Sequence, residues 1–183
     1  MSWSWLAPQR VGAAGIAGGL LGLASPVVFA IAGGELAGSV APVTHALQFA
    51  LLAVGAFGAS VTMVQSDSAD TAVALLGLGL LGYATSTMVV MLAPSWEFML
   101  ALGGLAGTAY LLVWIVASGY GVLLWNETNV SRVTAGLFIV CAPALFGLGV
   151  LIQSGFPPLA IEAPLSIAFV ALGYELITQE VPA

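Results

Sequence analysis

The sequence is short of charge. Only 5% of its 183 residues are charged, whereas globular domains carry roughly 25%. The mean hydropathy is correspondingly high, at +1.12. A chain so poor in charge cannot cover a surface that faces water, so we expect its first partner to be the lipid bilayer. The composition predicts an integral membrane protein, and the length allows a single transmembrane domain over residues 1–183.

Lysine is absent, and the two basic residues are Arg10 and Arg132. Without Lys the chain cannot form a retinal Schiff base, a pyridoxal aldimine or a phosphate-binding P-loop. Eight acidic residues give a net charge of −6, which excludes the basic footprint that nucleic acid requires. Acidic chains without Lys are typical of membrane proteins from extreme halophiles, where salt at 1 M screens charges beyond about 3 Å.

Cysteine and histidine occur once each. Cys141 lies inside an apolar run, where it has no intrachain disulfide partner, and we predict that it is a small buried hydrophobe. The sequence contains no nucleophile elbow, no H-E-x-x-H, no C-x-x-C and no Gly-rich phosphate loop. It therefore predicts a protein without enzymatic activity, with no catalytic or metal-binding residues and no cofactor.

Long apolar runs are what the chain has in abundance. The first, from Val11 to about Gly34, reaches roughly 34 Å at 1.5 Å per residue, enough to cross a bilayer core of about 30 Å. A signal peptide is the competing interpretation, but its apolar region has only about 7–15 residues. We predict an all-α bundle of six transmembrane helices, over approximately 11–34, 42–64, 71–93, 97–125, 133–153 and 163–179.

Orientation follows from the two Arg residues. With six spans, Arg10 and Arg132 fall on the side that also holds both termini, and the positive-inside rule makes that side cytoplasmic. We therefore expect a multi-pass protein of the cell membrane. Three acidic residues, Glu35, Glu97 and Glu162, then lie one in each outer bend.

The bend between the first two runs precedes the only His. His45 and Gln48 are three residues apart, so they share one face of the second helix, and Glu35 is placed to fold back toward them. A His beside a carboxylate can relay a proton or sense pH near neutrality. The alternative is a His solvated by water at the outer rim. One His and one carboxylate fall short of the usual metal site.

Further polar residues lie inside the predicted spans. Tyr83, Ser86 and Thr87 belong to the most polar patch within a span, which could bond across helices or line a narrow path. Glu175 lies about one turn from the inner end of the last helix. Because a carboxylate at that depth needs a partner, we predict a structural ion pair between Glu175 and Arg132.

Small residues and prolines mark predicted packing and bending. Glycines four residues apart put bare backbone on one helix face, which predicts close helix packing inside the bundle or, alternatively, a homo-oligomeric contact. These pairs are Gly15–Gly19, Gly18–Gly22 and Gly103–Gly107. Pro26 and Pro143 lie inside predicted helices, and each should kink its helix and free a carbonyl.

The three-hairpin pattern resembles a known group of membrane proteins. Gly-rich first helices (15–22 and 77–82) with a Pro near each outer bend (Pro42, Pro94 and Pro164) are similar to the acid-resistance membrane proteins of the HdeD type. The resemblance implies a six-helix membrane fold and assigns no functional residues.

The function expected from the sequence is not enzymatic. We predict a structural, assembly or stress-related membrane subunit, acting as a homo-oligomer or with other membrane subunits. The alternative is a small-solute or ion transporter or channel with a path near Tyr83 and His45.

Overall fold

The computed structural model describes residues 7–32, 34–63, 66–91, 95–153 and 161–178. Within these ranges the protein is all-α and contains no strand, as the sequence predicts. Seven helices follow one another: α1 (Pro8–Ala32), α2 (Gly34–Thr62), α3 (Asp67–Met91), α4 (Trp96–Leu124), α5 (Arg132–Ile139), α6 (Cys141–Gln153) and α7 (Ala163–Thr178).

Four of these helices are long and apolar enough to cross a membrane. Their apolar segments are Pro8–Val28, Val40–Thr62, Asp67–Val90 and Trp96–Leu124. The bent pair of α5 and α6 makes a fifth if it is counted as one span. Helix α7 has 16 residues and extends about 24 Å, less than a bilayer core of about 30 Å. By length the described chain thus has four or five candidate spans, where the sequence predicted six.

The helices close into a ring around an apolar core. Helix α1 packs against α2 and α7, α2 against α3, α3 against α4, α4 against α5 and α6, and α5 against α7. The interior is filled by large side chains that are fully buried, among them Phe49, Trp114, Tyr120, Phe138 and Phe169. Ring closure brings the last helix beside the first two, which decides where the site forms.

The start of α2 differs from the prediction. The sequence predicted a bend over about 35–41, but α2 begins at Gly34 and carries Pro42 inside it. The stretch before Pro42 contains Glu, Leu and Ala, which are good helix formers, and a Pro inside a helix costs one backbone bond without always ending it. Glu35 therefore belongs to the first turn of α2 and does not end α1.

Pro143 divides the predicted fifth helix. Its ring removes the bond to the carbonyl of Ile139, and α5 and α6 meet there at an angle of 42°. Ser118 of α4 satisfies the freed groups: its hydroxyl donates to the Ile139 carbonyl at 2.9 Å and accepts from the backbone N–H of Ala142 at 2.8 Å. The predicted kink at Pro143 is confirmed. Pro26, by contrast, lies inside α1 without interrupting it.

Glycines of α1 make the closest helix contacts, as predicted. A Cβ added at Gly15 would lie 3.7 Å from the Cα of Gly55 in α2, and one added at Gly19 would lie 2.5 Å from the carbonyl oxygen of Ser166 in α7. In α4 the described chain does not pack against the same spacing. No described atom lies within 4 Å of a Cβ added at Gly103 or Gly107, so packing inside the bundle is not found there, while the alternative of a homo-oligomeric contact stays a prediction. The same spacing thus marks a packed face in α1 and an open face in α4.

Candidate functional site: a buried carboxylate between α2 and α7

Four polar side chains meet where α2 contacts the start of α7: His45, Gln48, Glu162 and Ser166. We call them the α2–α7 polar cluster. Gln48 and Ser166 are fully buried, and Glu162 is only 5% exposed. The Gln48 amide nitrogen Nε2 donates to Glu162 Oε2 at 3.0 Å, and His45 Nε2 lies 3.8 Å from the same oxygen. A carboxylate, an amide and an imidazole thus converge on one point.

Local sequence explains how each side chain reaches the cluster. His45 and Gln48 lie on one face of α2 because they are three residues apart. Glu162 lies in the single 3-10 turn that leads into α7. Gly22 of α1 leaves the room they need, since a Cβ there would lie 2.3 Å from the Ser166 hydroxyl and 2.5 Å from Gln48 Nε2. Three helices thus build the cluster.

The structure brings the Glu162 carboxylate to His45 and Gln48. The sequence predicted that Glu35 folds back toward the same pair, and this prediction falls on a side chain outside the described residues. Sequence reasoning placed Glu162 in a bend but did not pair it, because the contact joins residues 114 positions apart. The shared face of His45 and Gln48 was the one signal available.

Opposing electrostatic effects act on Glu162 in this cluster. Burial raises the pKa of Glu162 above its ordinary value, while the nearby His45 and the hydrogen bond from Gln48 oppose that rise. Several buried polar atoms in it lack a hydrogen-bond partner within the described chain: His45 Nε2, Gln48 Oε1 and Ser166 Oγ. Buried polar groups normally have partners, so the cluster retains unused capacity to bind a proton or a polar group.

A chain of aromatic rings begins beside the cluster at Phe49. Phe49 follows Gln48 in α2, and its ring meets Tyr83 of α3 edge-on at 4.6 Å between centroids. Tyr83 lies 5.0 Å from Tyr110 of α4, and Tyr110 lies 5.8 Å from Trp114. Both phenols are within electrostatic reach of the Glu162 carboxylate. The buried Tyr110 hydroxyl has no partner among the described residues.

The predicted polar patch of α3 bonds mainly to its own helix. The hydroxyls of Ser86 and Thr87 both donate to the Tyr83 carbonyl, each at 2.9 Å. Beside them is a cavity of about 350 Å³. Its lining residues come from three helices: Pro42 from α2, Tyr83, Thr87 and Val90 from α3, and Gly103, Ala106, Gly107 and Tyr110 from α4. The patch therefore borders an open space that ends at the two tyrosines.

Glu175 forms a second polar cluster at the opposite end of α7. Its carboxylate accepts from the backbone N–H of Ser131 at 3.1 Å, from the Ser131 hydroxyl, and from the Thr134 hydroxyl at 2.5 Å. Ser131 is the N-cap of α5, so the carboxylate lies at a helix N-terminus, where negative charge is stabilised. These hydrogen bonds join the end of α7 to the start of α5.

The predicted ion pair between Glu175 and Arg132 is wrong for the described chain. Its ion pairs do not include these two residues, and the Arg132 guanidinium lies over the Trp125 ring, 5.9 Å from the centroid. The start of α5 already gives Glu175 three donors, and Arg132, the first residue of α5, stacks on an aromatic face instead.

An apolar layer separates the two polar clusters. Glu162 and Glu175 are 13 positions apart along α7, which corresponds to about 20 Å of helix. The fully buried side chains of the described chain between them are mainly aromatic and aliphatic, among them Leu52, Trp114, Phe138, Phe169 and Leu172. The buried indole N–H of Trp114 has no hydrogen-bond partner among the described residues.

Comparisons with known proteins found no match: no protein family, no curated protein and no solved structure resembles the chain significantly. Functional interpretation therefore rests on the arrangement of the side chains.

Proposed function

We propose that the chain is a multi-pass integral protein of the cell membrane that serves as a non-enzymatic structural, assembly or stress-related subunit. The apolar layer carries this proposal. A passage for ions needs polar groups or water along its length, whereas the described centre between Glu162 and Glu175 is filled by buried aromatic and aliphatic side chains. What remains is a bundle whose two clusters of hydrogen-bonded carboxylates, at Glu162 and at Glu175, lie toward opposite ends of α7.

Six spans with both termini in the cytoplasm form part of this proposal. The bent pair α5–α6 would be the fifth span and α7 a short sixth span. A cysteine at Asp67, in the first turn of α3, and one at Glu97, in the first turn of α4, should react with an impermeant maleimide from opposite sides of the membrane. Native Cys141 is buried, so the unmodified protein is the background control. Labelling of both sites from the same side contradicts the topology.

The exposed face of α4 supports a partner in the membrane. Leu100, Leu105, Leu112 and Ile115 are each more than half exposed in the single chain. Such a face must be covered by lipid, by another copy or by another membrane subunit. Cross-linking in native membranes through a cysteine at Leu105, with one at buried Leu80 as the control, tests for a second copy. A covalent dimer formed only at Leu105 is expected for a homo-oligomer.

Passage of a small solute or ion is the second candidate. The cavity of about 350 Å³ that ends at Tyr83 and Tyr110 favours it, together with the position of His45 beside the Glu162 carboxylate. Reconstituted vesicles decide between the candidates. A subunit without transport activity leaves the flux of protons, alkali cations and small neutral solutes at the level of empty vesicles. Flux above that level which His45→Ala abolishes would replace the first candidate by the second.

A further inference from the structure

We infer that the α2–α7 polar cluster is a proton-binding site, in which one proton held between Glu162 and His45 keeps α7 docked on α2. This goes beyond the proposed function, since it assigns a ligand, the proton, and a pH response to a defined pair of side chains. It applies equally to a subunit without transport activity and to a passage.

The first argument is geometric. His45 Nε2 lies 3.8 Å from Glu162 Oε2, which exceeds the range of a hydrogen bond but allows strong electrostatic interaction. Gln48 already donates to this oxygen at 3.0 Å, so the carboxylate is held facing the imidazole. A small movement of either side chain would close a hydrogen bond between them, and a proton could then reside on either group.

The second argument concerns charge. An isolated carboxylate is costly to bury, by several kcal/mol, yet Glu162 is 5% exposed. The chain has no Lys. Arg10 is at the start of α1, two residues before Gly12, which contacts the far end of α7, and Arg132 lies over Trp125. Within the described chain, no permanent cation is therefore placed to neutralise Glu162, and a proton is the cation that remains.

Apart from His45, the groups facing the cluster cannot neutralise Glu162. They are Gln48 from α2, Tyr83 from α3 and Tyr110 from α4. Neither phenol can carry a positive charge. From α1 come Gly22 and Ser25, whose hydroxyl donates to the Gly22 carbonyl, and from α7 comes Ser166. Arg132 of α5 lies over the Trp125 ring, and the Cys141 thiol of α6 donates to the Leu137 carbonyl.

The consequence for stability follows from the balance of protons. With one proton the pair has no net charge, whether as a carboxylic acid beside a neutral imidazole or as a carboxylate beside an imidazolium. Loss of that proton leaves a buried negative charge that only Gln48 is bound to. The folded state therefore holds the proton more tightly than the unfolded chain does. The stabilisation is present while the pair holds its one proton and is lost as pH rises.

Thermal unfolding of the full chain in nanodiscs tests the inference. Between about pH 5 and pH 8 the midpoint of the wild-type protein should fall by at least roughly 3 °C. Glu162→Gln keeps the shape of the side chain but cannot titrate, so the decrease of its midpoint with rising pH should be lost. Glu97→Gln, which changes an exposed carboxylate at the start of α4, should keep the wild-type slope.

Spectroscopy of the wild-type protein provides a test that does not depend on a variant folding. Because His45 is the only His, nitrogen-15 labelling of histidine reports its protonation without assignment. Infrared difference spectra between acid and alkaline samples report a protonated buried carboxylic acid. One of the two signals should disappear as pH rises through the range in which the midpoint falls. The inference is overturned if both signals stay constant as pH changes, or if the unfolding midpoint of Glu162→Gln depends on pH as that of the wild-type protein does.

Discussion

The contact between α1 and α7 predicts opposite outcomes for the same substitution at two glycines. Gly19 and Gly103 each belong to a pair of glycines four residues apart. A Cβ added at Gly19 would lie 2.5 Å from the Ser166 carbonyl oxygen and 2.7 Å from a methyl group of Val170, whereas one added at Gly103 meets no described atom within 4 Å. Gly19→Ala should destabilise the protein and Gly103→Ala should not.

The size of the difference follows from the geometry. A backbone oxygen cannot move aside like the end of a flexible side chain, so α1 and α7 must separate by about 1 Å to restore ordinary contact. Overpacking of this kind costs about 1–3 kcal/mol. Alanine favours a helix over glycine by about 0.8–1.0 kcal/mol, but both variants gain this equally. The two variants should therefore differ by about 1–3 kcal/mol.

Thermal unfolding followed by tryptophan fluorescence measures this difference. For a chain of this size 1 kcal/mol shifts the midpoint by roughly 2–4 °C, so the midpoint of Gly19→Ala should lie about 2–12 °C below that of Gly103→Ala. Equal midpoints would show that α1 and α7 do not approach each other through Gly19. A larger loss for Gly103→Ala would show that the α4 face is the packed one, and would refute the reasoning.

Two further substitutions test single side chains by the same unfolding measurement. Ser118→Ala should cost about 1–3 kcal/mol, because it leaves the Ile139 carbonyl at the kink without its donor; an unchanged midpoint would mean that water replaces the hydroxyl. Ser131→Ala should cost about 1–2 kcal/mol, because it removes the α5 N-cap together with a donor to Glu175. Arg132→Gln should change the free energy of unfolding by less than about 0.5 kcal/mol. A larger loss would support the predicted ion pair with Glu175.

Local features of the fold could be predicted from the sequence. Long apolar runs identified the helices, since each helix satisfies its own backbone hydrogen bonds. Pro143 predicted the kink because the loss of its N–H is a property of the residue itself. What the sequence left open was the hydroxyl that satisfies the freed carbonyl, since Ser118 lies 21 positions from Ile139. The start of α2 was missed because Pro42 and the preceding glycines suggested a bend, whereas helix-forming residues continue through it.

Features that depend on neighbouring helices could not be predicted in the same way. Spacing of four residues places glycines on one face, but it does not state which helix meets that face. Gly19 faces α7 at van der Waals contact or closer, whereas Gly107 borders a cavity. Likewise, the sequence correctly predicted that Arg132 and Glu175 lie at one end of the bundle, but it did not predict which groups each of them contacts. There the N-cap Ser131 bonds to the carboxylate in place of the guanidinium.

The carboxylates of the predicted outer bends show most clearly what ring closure adds. Glu97 and Glu162 have similar settings in the sequence, each beside a Pro and next to an apolar run. In the fold Glu97 is exposed at the start of α4. Helix α7, in contrast, packs against α1 and contacts α2, and this packing buries Glu162 against Gln48. The cost of that burial is what demands a proton from His45. The chemistry of the site thus originates in the topology, because the sequence places both carboxylates in bends and the fold encloses Glu162 but not Glu97.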